Sequence, residues 1–289
     1  MDALHPSAEI HPSAVIAPGA RIGAGSRIGP FCTLGPDVVL EAGVELVSHA
    51  VVDGRTRIGE GAKLMPFASV GLPPQDLKYK GEPTGCEIGP RTQLREHVTV
   101  HRGSVGGDGV TRVGADCLLM ACSHVGHDCR VGDRVILANN VMLGGHVQVG
   151  EQCFLGGGAA IHQQVRIGRH AMVGGLAGVT NDIPPFGNVF GLPARLVGLN
   201  VVGLRRRGFS RENLHALRAA FRLIFRDPGT FAERMALCAG RFAGDKLVEE
   251  VLAFLQAADR KRELIRPGRM AAELGGEQED SGEDNGEAS

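Results

Sequence analysis

Residues 122–146 hold the side chains best suited to chemistry. Near the start of this stretch, two histidines lie close to a carboxylate and a cysteine, and a third histidine follows two glycines at the end. Imidazole next to carboxylate can act as a general base with its orienting group, whereas histidine with cysteine can ligate zinc. A purely structural role is equally open at this point. The residues concerned are His124, His127, Asp128, Cys129 and His146.

Aliphatic residues recur at every sixth position through most of the chain. They do so from Ile10 to Val70, from Ile88 to Val100 and from Val113 to Val179. Four residues after each aliphatic comes a small or β-branched residue. A period of six fits neither the 3.6 of a helix nor the strict alternation of a hairpin ladder. The pattern therefore predicts short strands separated by turns.

Hexads of this kind resemble the hexapeptide-repeat family, whose members fold as left-handed parallel β-helices. Three hexads make one coil in that fold, and both columns of residues point inward. The left-handed sense is implied by the resemblance, since the general rule for parallel strands gives the right-handed one.

Glycine often follows the aliphatic, as at Gly23, Gly59 and Gly132, and we expect it to serve a tight turn with φ > 0.

The hexad register bears on the cysteines. The column of small inward residues includes Cys32, Cys117, Cys129 and Cys153. A buried free cysteine behaves as a small hydrophobe, and the chain contains no Cys-x-x-Cys pair. Packing is therefore the favoured role for Cys129, which weakens the metal interpretation of the cluster.

Two segments interrupt the period, at about residues 71–87 and 103–112. Because Val70 and Ile88 are eighteen residues apart, we predict that the first segment replaces one full coil. After Val179 the repeat ends. The predicted organisation is a β-helix over 1–185, a connector over 186–209, an α-helical domain over 210–267 and an acidic disordered tail over 268–289.

The C-terminal part carries helix signals. Ser210 is a good N-cap for a helix to Arg226, and Thr230 opens a capping box for a second helix. A third helix is predicted from Asp245 to about Ala258. The first helix carries a stripe of arginines, which is either plain solvated surface or a face for an acidic or phosphate-bearing partner. These are Arg218, Arg222 and Arg226.

Composition limits the class of protein. The 289 residues include 43% hydrophobic and 22% charged positions, with a net charge of −1. We find neither a secretory leader nor eighteen uninterrupted apolar residues. We therefore expect a cytoplasmic protein with no integral membrane segment and no nucleic acid partner.

Stacking of eighteen-residue coils would bring distant residues together. Residues eighteen apart would lie about 4.8 Å from each other, the spacing of neighbouring strands. His127 would then lie beside Gly145 and Gln163, and Asp128 beside His146. A histidine with an adjacent carboxylate and a glycine that opens space next to it is typical of a general base in a groove.

Several stretches resemble the family of UDP-N-acetylglucosamine acyltransferases, which act first in lipid A biosynthesis. The resemblance extends over nearly the whole chain except the acidic tail. The matching stretches are 75–79, 81–84, 98–103, 124–128, 137–140, 144–146, 161–163 and 203–210.

The resemblance implies transfer of an (R)-3-hydroxyacyl group from acyl carrier protein to the glucosamine 3-OH of UDP-N-acetylglucosamine, without a metal or cofactor. His127 would take the proton from the attacking hydroxyl, and Asp128 would orient its ring. The backbone N–H of Gly145 would face the developing oxyanion. The family's sites lie between the subunits of a homotrimer, so trimerisation is implied as well.

The resemblance also implies substrate-binding residues. Sugar and acyl groups would contact Asp76, His146, His162 and Gln163, the cleft would be lined by Lys78, His101 and His124, and the uridine diphosphate would meet Asn200, Arg206 and Arg207. Leu192 and Val202 depart from the family's pattern near the nucleotide. Gly145 is implied to help measure the acyl chain, so that Gly145→Met would shift preference to shorter chains.

Two other functions remain open. The first is a zinc enzyme resembling the γ-carbonic anhydrases, which also place histidines between β-helix subunits. The second is a non-catalytic β-helix scaffold, in which the groove residues would be dispensable.

Overall fold

The computed structural model describes residues 4–258 and 260–268. Nearly all of the predicted acidic tail, 268–289, lies outside the described residues. The short strands follow the hexads, and each strand of two residues ends on the repeated aliphatic. The strands are β1 (Glu9–Ile10), β2 (Val15–Ile16), β3 (Arg21–Ile22), β4 (Arg27–Ile28), β5 (Thr33–Leu34), β6 (Val39–Leu40), β7 (Glu45–Leu46), β8 (Val51–Val52), β9 (Arg55–Ile58), β10 (Lys63–Leu64), β11 (Ser69–Leu72), β12 (Gly85–Ile88), β13 (Gln93–Leu94), β14 (Thr99–His101), β15 (Val110–Val113), β16 (Leu118–Leu119), β17 (His124–Val125), β18 (Arg130–Val131), β19 (Ile136–Leu137), β20 (Met142–Leu143), β21 (Gln148–Val149), β22 (Phe154–Leu155), β23 (Ala160–Ile161), β24 (Arg166–Ile167), β25 (Met172–Val173), β26 (Gly178–Val179), β27 (Gly187–Phe190) and β28 (Arg195–Leu199).

The strands form three sheets, one for each face of a triangular coil. Each strand pairs in parallel with the strand three further along the chain, as β1 does with β4. The repeated aliphatics stay in register across these pairs, as Ile10 does with Ile28. Only β28 pairs antiparallel among the named strands, with β27. The sheet orders are β1-β4-β7-β10-β13-β16-β19-β22-β25-β27-β28, β2-β5-β8-β11-β14-β17-β20-β23-β26 and β24-β21-β18-β15-β12-β9-β6-β3.

The core is a single column inside the triangle. The aliphatic and small positions are buried along its length, and only the first positions, such as Ile10 and Ile16, are partly exposed. Cys32, Cys117 and Cys129 lie in this column, and Cys153 is buried there too. Burial raises the pKa of the Cys129 thiol to about 12, so this thiol stays protonated at neutral pH. The packing role predicted for these cysteines is confirmed.

The glycines that follow the aliphatics have a different function from the one predicted. Left-handed φ occurs at the third residue after the aliphatic, as at Asp128 (59°) and His146 (60°), and not at Gly23. A Cβ on Gly23 would lie 2.5 Å from the backbone of Glu41 in the next coil. Glycine is needed there because the backbones of adjacent coils approach closely, not because the turn demands φ > 0.

The first interruption does not replace a coil, which corrects the prediction. Val70 pairs with Val100 on one face, whereas Ile88 pairs with Ile58 on the next face. The segment between β11 and β12 is therefore an insertion at one corner of a coil. A shorter insertion separates β14 from β15. Both insertions project from the corner that joins the β14 face to the β15 face, where surface loops can serve binding.

The C-terminal helices follow their capping signals. Ser210 and Thr230 cap their helices with complete capping boxes, and Asp245 accepts from two backbone N–H groups of the next helix. The three predicted helices are confirmed, and a short helix that was not predicted precedes them. Their bounds are α1 (Val201–Arg206), α2 (Arg211–Phe225), α3 (Phe231–Arg241) and α4 (Lys246–Gln256).

Helix α4 is fastened to the β-helix through charged side chains. Arg169 Nε donates to Glu250 Oε1 at 2.6 Å, and the Arg166 guanidinium lies 4.7 Å from the Phe254 ring centroid. Within residues 4–258 and 260–268, no helix is long and apolar enough to cross a membrane.

Candidate active site

A groove of about 770 Å³ runs along the face formed by β14, β17, β20, β23 and β26. The exposed side chains of Met142 and Ala160 and several glycines, among them Gly126 and Gly144, are part of its lining, which is mostly apolar. Six of the residues predicted from the sequence line this groove: His101, His124, His127, Gly145, His162 and Gln163. A mostly apolar groove with imidazoles in its lining can hold a chain-like substrate and move a proton.

His127 and Asp128 form a hydrogen-bonded pair at the edge of the groove. Nδ1 of His127 lies 2.8 Å from Oδ2 of Asp128, and the two side chains are 16% and 2% exposed. An ionised carboxylate only accepts, so His127 donates from Nδ1 and keeps Nε2 free to accept a proton. This pairing fits a general base and the residue that orients it.

The carboxylate of Asp128 is held by the second insertion. The backbone N–H of Ser104 donates to both carboxylate oxygens at 3.1 and 3.0 Å, and its hydroxyl donates to Oδ2 at 2.7 Å. Burial pushes the pKa of Asp128 upward, but the hydrogen bonds from His127 and Ser104 outweigh burial and leave this pKa below its usual value. Asp128 is therefore ionised at neutral pH.

His146 completes the cluster as the register predicts. Its backbone N–H donates to the His127 carbonyl, and the two rings meet edge to face with centroids 5.0 Å apart. His146 Nε2 lies 3.9 Å from Asp128 Oδ2. Positive charge on His146 would favour the ionised form of Asp128.

The same three side chains could in principle hold a metal ion. One ligand atom from each of His127, Asp128 and His146 lies within 4.8 Å of the others. However, Oδ2 of Asp128 already accepts from His127 and twice from Ser104. A metal at this oxygen would have to displace these donors, so the arrangement fits a base and its orienter better than it fits a zinc centre. That the site needs no metal stays a prediction.

His124 and His101 form a second pair of imidazoles. His124 Nδ1 lies 2.7 Å from the Thr99 hydroxyl, and the two rings are edge to face at 4.9 Å. Burial, with smaller contributions from His124 and His127, lowers the pKa of His101 to about 4. Burial followed by His127 also lowers the pKa of His124. Both rings are therefore neutral at pH 7 and can act as hydrogen-bond donors or acceptors, but not as cations.

The ring of His127 occupies the space beside Gly145. A Cβ on Gly145 would lie 2.5 Å from Nε2 and 2.6 Å from Cε1 of His127. The prediction that Gly145→Met shifts preference to shorter acyl chains stays a prediction, and this geometry adds that a side chain at Gly145 would also meet the ring of His127.

Gly145→Ala is expected to lower kcat by at least about tenfold, because His127 must leave its position to make room and lose alignment with its substrate. Steady-state kinetics with acyl chains of several lengths check this. The loss should be similar for all lengths. A shift in chain preference with kcat preserved would show that Gly145 measures the chain after all.

The first insertion brings one residue to the groove, but not those that were predicted. Gln75 lines the groove. Asp76 instead accepts from the backbone N–H of Lys78 at 3.0 Å, and the Lys78 side chain is exposed. The predicted contacts of Asp76 and Lys78 with substrate stay predictions.

The residues predicted for the nucleotide cluster around α1 and do not line the groove. Asn200 is the N-cap of α1: its Oδ1 accepts from Gly203 and its Nδ2 donates to the His170 carbonyl at 2.9 Å. Arg207 donates to the Gln152 carbonyl at 2.7 Å, and Arg206 is exposed. On a single chain, the candidate site is thus divided into two groups.

Sequence reasoning missed several residues that the structure brings to the site. Thr99 and Ser104 support His124 and Asp128, and Arg262 contacts His162. Leu192, expected near the nucleotide, lines the far end of the groove with Pro193. The sequence held one sign of the role of Ser104, namely that it lies in the second interruption of the hexads. An inserted loop next to the candidate base can contact that base or its partner.

Known proteins share this fold. A model described as "Bacterial transferase hexapeptide (six repeats)" matches residues 4–36 and 110–145. A UDP-N-acetylglucosamine acyltransferase from Bacteroides fragilis superposes with a TM-score of 0.81 at 32% identity, covering 91% of this chain and 99% of that one. The enzyme of the same description from Campylobacter jejuni gives 0.84 at 34% identity, with 89% and 99% covered. The fold is the left-handed parallel β-helix with C-terminal helices that the sequence predicted.

Sequence comparison reaches the same group of proteins. The model for domain 2 of UDP-N-acetylglucosamine O-acyltransferase matches residues 182–265. An acyl-[acyl-carrier-protein]–UDP-N-acetylglucosamine O-acyltransferase from Caulobacter vibrioides is 55% identical over 233 residues, which cover 81% of this chain and 88% of the relative. The chain therefore belongs to the UDP-N-acetylglucosamine O-acyltransferase family.

Proposed function

We propose that the chain transfers an (R)-3-hydroxyacyl group from acyl carrier protein to the 3-OH of UDP-N-acetylglucosamine, the first step of lipid A biosynthesis. The observation that carries this proposal is the His127–Asp128 pair, 2.8 Å apart at the edge of an apolar groove. Family membership supplies the two substrates. It also favours this function over the zinc-enzyme and scaffold alternatives.

In the proposed mechanism, His127 acts as the general base. Its Nε2 takes the proton from the sugar 3-OH while the oxygen attacks the thioester carbonyl, and Nδ1 donates to the Asp128 carboxylate, which stabilises the imidazolium. The Gly145 N–H stabilises the oxyanion of the tetrahedral intermediate. Collapse of the intermediate breaks the C–S bond, and the imidazolium returns its proton to the departing thiolate. An ester and the free carrier thiol result.

A mass-spectrometric transfer assay tests the substrates. Purified chain, UDP-N-acetylglucosamine and a series of 3-hydroxyacyl carrier proteins are expected to give a product heavier by one hydroxyacyl group. The same reaction with chelator present should proceed at an unchanged rate, because no step needs a metal. No product with any acyl chain would refute the substrate assignment, and loss of activity together with stoichiometric zinc would favour the carbonic-anhydrase-like alternative.

We propose that the working unit is a homotrimer whose sites lie between chains. The division of the candidate residues into a groove group and the α1 group supports this, because a neighbouring copy could bring Asn200 and Arg206 to the groove. One corner of the β-helix also exposes stacked rings, including Phe31 (59% exposed) and Phe67 (49%). Sedimentation equilibrium is expected to give the mass of three chains; a monomer that is active at all concentrations would contradict this.

The arginine face of α2 suits the acyl donor's protein. Arg218, Arg222 and Arg226 are exposed, and they rim an apolar pocket floored by Leu199 and Phe221. Such a surface complements an acidic partner that also buries apolar side chains. A cytoplasmic location stays a prediction, which fractionation of cells expressing the chain would test.

A further inference from the structure

The segment 260–268 crosses the end of the β-helix in a fixed position. The Asp182 N–H donates to the Glu263 carbonyl at 2.8 Å, and the Ile265 N–H donates to the Asp182 carbonyl at 2.9 Å. Further along, the Gly268 N–H donates to the Leu196 carbonyl at 2.9 Å and the Leu196 N–H donates to the Arg266 carbonyl at 3.0 Å, and Ile265 is buried. Arg262 therefore projects from a segment whose backbone is hydrogen-bonded to the β-helix, which limits the positions that its guanidinium can take.

Arg262 reaches two residues of the groove. Its Nε donates to the Gln163 carbonyl at 2.9 Å, and its Nη2 lies 2.7 Å from Nδ1 of His162. A guanidinium carries donors only, so Nδ1 of His162 must be the acceptor. The neutral ring then carries its proton on Nε2.

A competing hydrogen bond makes this choice of tautomer significant. Nδ1 of His162 also lies 3.3 Å from the Gln163 carbonyl. Without Arg262, the ring could place its proton on Nδ1 and donate to that carbonyl, which would turn Nε2 from a donor into an acceptor. Arg262 opposes this because its Nη2 donates to Nδ1 of His162, which then cannot carry the proton, and the bond from its Nε to the Gln163 carbonyl holds the guanidinium in place.

We propose that Arg262 is a positioning residue that fixes His162 as the Nε2–H tautomer, so that the ring offers a hydrogen-bond donor to an acceptor oxygen of the nucleotide-sugar substrate. The identity of the substrate rests on the proposed function, whereas the tautomer does not. His162 lies two coils beyond Gly126 on the groove face, so the donor is set at a fixed distance along the groove from the base.

Nitrogen-15 NMR of histidine-labelled protein tests the tautomer directly. The wild-type ring of His162, assigned by comparison with His162→Gln, is expected to show a protonated Nε2 and an unprotonated Nδ1. In Arg262→Met, which keeps side-chain length and removes the donors, the proton should move to Nδ1 in a substantial part of the population. In Lys261→Met, which removes a neighbouring cation, the spectrum should stay that of wild type. An unchanged His162 tautomer in Arg262→Met would overturn the proposal.

Kinetics provide the second readout. Arg262→Met is expected to raise KM for the nucleotide sugar about tenfold with kcat little changed, because one hydrogen bond of binding is lost. In the His162→Gln background, the same substitution should have almost no further effect, since Arg262 acts through His162. Additive effects would refute the positioning role. An inactive wild type would instead refute the proposed function and leave the NMR result to decide the tautomer.

Discussion

His127→Ala is expected to lower kcat by about 10²- to 10⁴-fold, the range that a positioned general base supplies. The loss should appear in kcat more than in KM, because the imidazole accepts the proton in the transition state and contributes less to binding of the substrate in the ground state. The transfer assay with one acyl carrier protein and varied nucleotide sugar measures both constants.

The fold should tolerate this substitution. His127 is at the edge of the groove and not in the inner column, so the unfolding temperature is expected to stay close to that of wild type. His215→Ala, which removes an exposed imidazole from α2, is the matched control and should leave kcat unchanged. Equal turnover by His127→Ala and wild type would eliminate His127 as the base.

Asp128→Asn is expected to lower kcat by about 10²-fold or more, because an amide can donate to Nδ1 and favour the tautomer that blocks Nε2. The substituted amide would also point a donor at the donors of Ser104. Kinetics at several pH values are the measurement. Near-normal kcat for Asp128→Asn would show that the carboxylate does not orient the base.

The pKa of Asp128 gives this pair a pH dependence with a defined sign. Since the folded pKa lies below the ordinary value, the ionised carboxylate stabilises the fold above that ordinary value, and this contribution is lost as the pH falls through the folded pKa. Ser104→Ala removes one donor to the carboxylate and should shift this loss to higher pH, whereas Ser104→Thr keeps the hydroxyl and should not.

The repeat allowed much of this molecule to be predicted. A period of six places the aliphatic and small residues inward, and stacking at eighteen residues correctly brought Gly145 and His146 beside His127 and Asp128. The helix ends at Ser210, Thr230 and Asp245 followed from local capping chemistry. These features depend on short-range rules that repeat along the chain.

What could not be predicted depends on chain outside the repeat. The hexad pattern does not determine on which face of the β-helix the chain resumes after an insertion. The sequence therefore could not show that Ile88 lies on the same face as Ile58. For the same reason the contact of Ser104 with Asp128 was missed. Arg262 is a hundred residues from its partner His162 and belongs to an irregular segment, for which no periodicity exists.

The stacking of coils also divides the groove into equal steps. Adjacent strands are about 4.8 Å apart, so the five strands from β14 to β26 mark off about 19 Å. From β17 to β26 each coil contributes a strand of two residues to this face, and the coils differ in the side chains that they turn outward. A chain bound along the groove would therefore meet a new outward side chain about every 4.8 Å. A single outward substitution would change the contacts of one short part of that chain and leave the contacts on the other strands as they are.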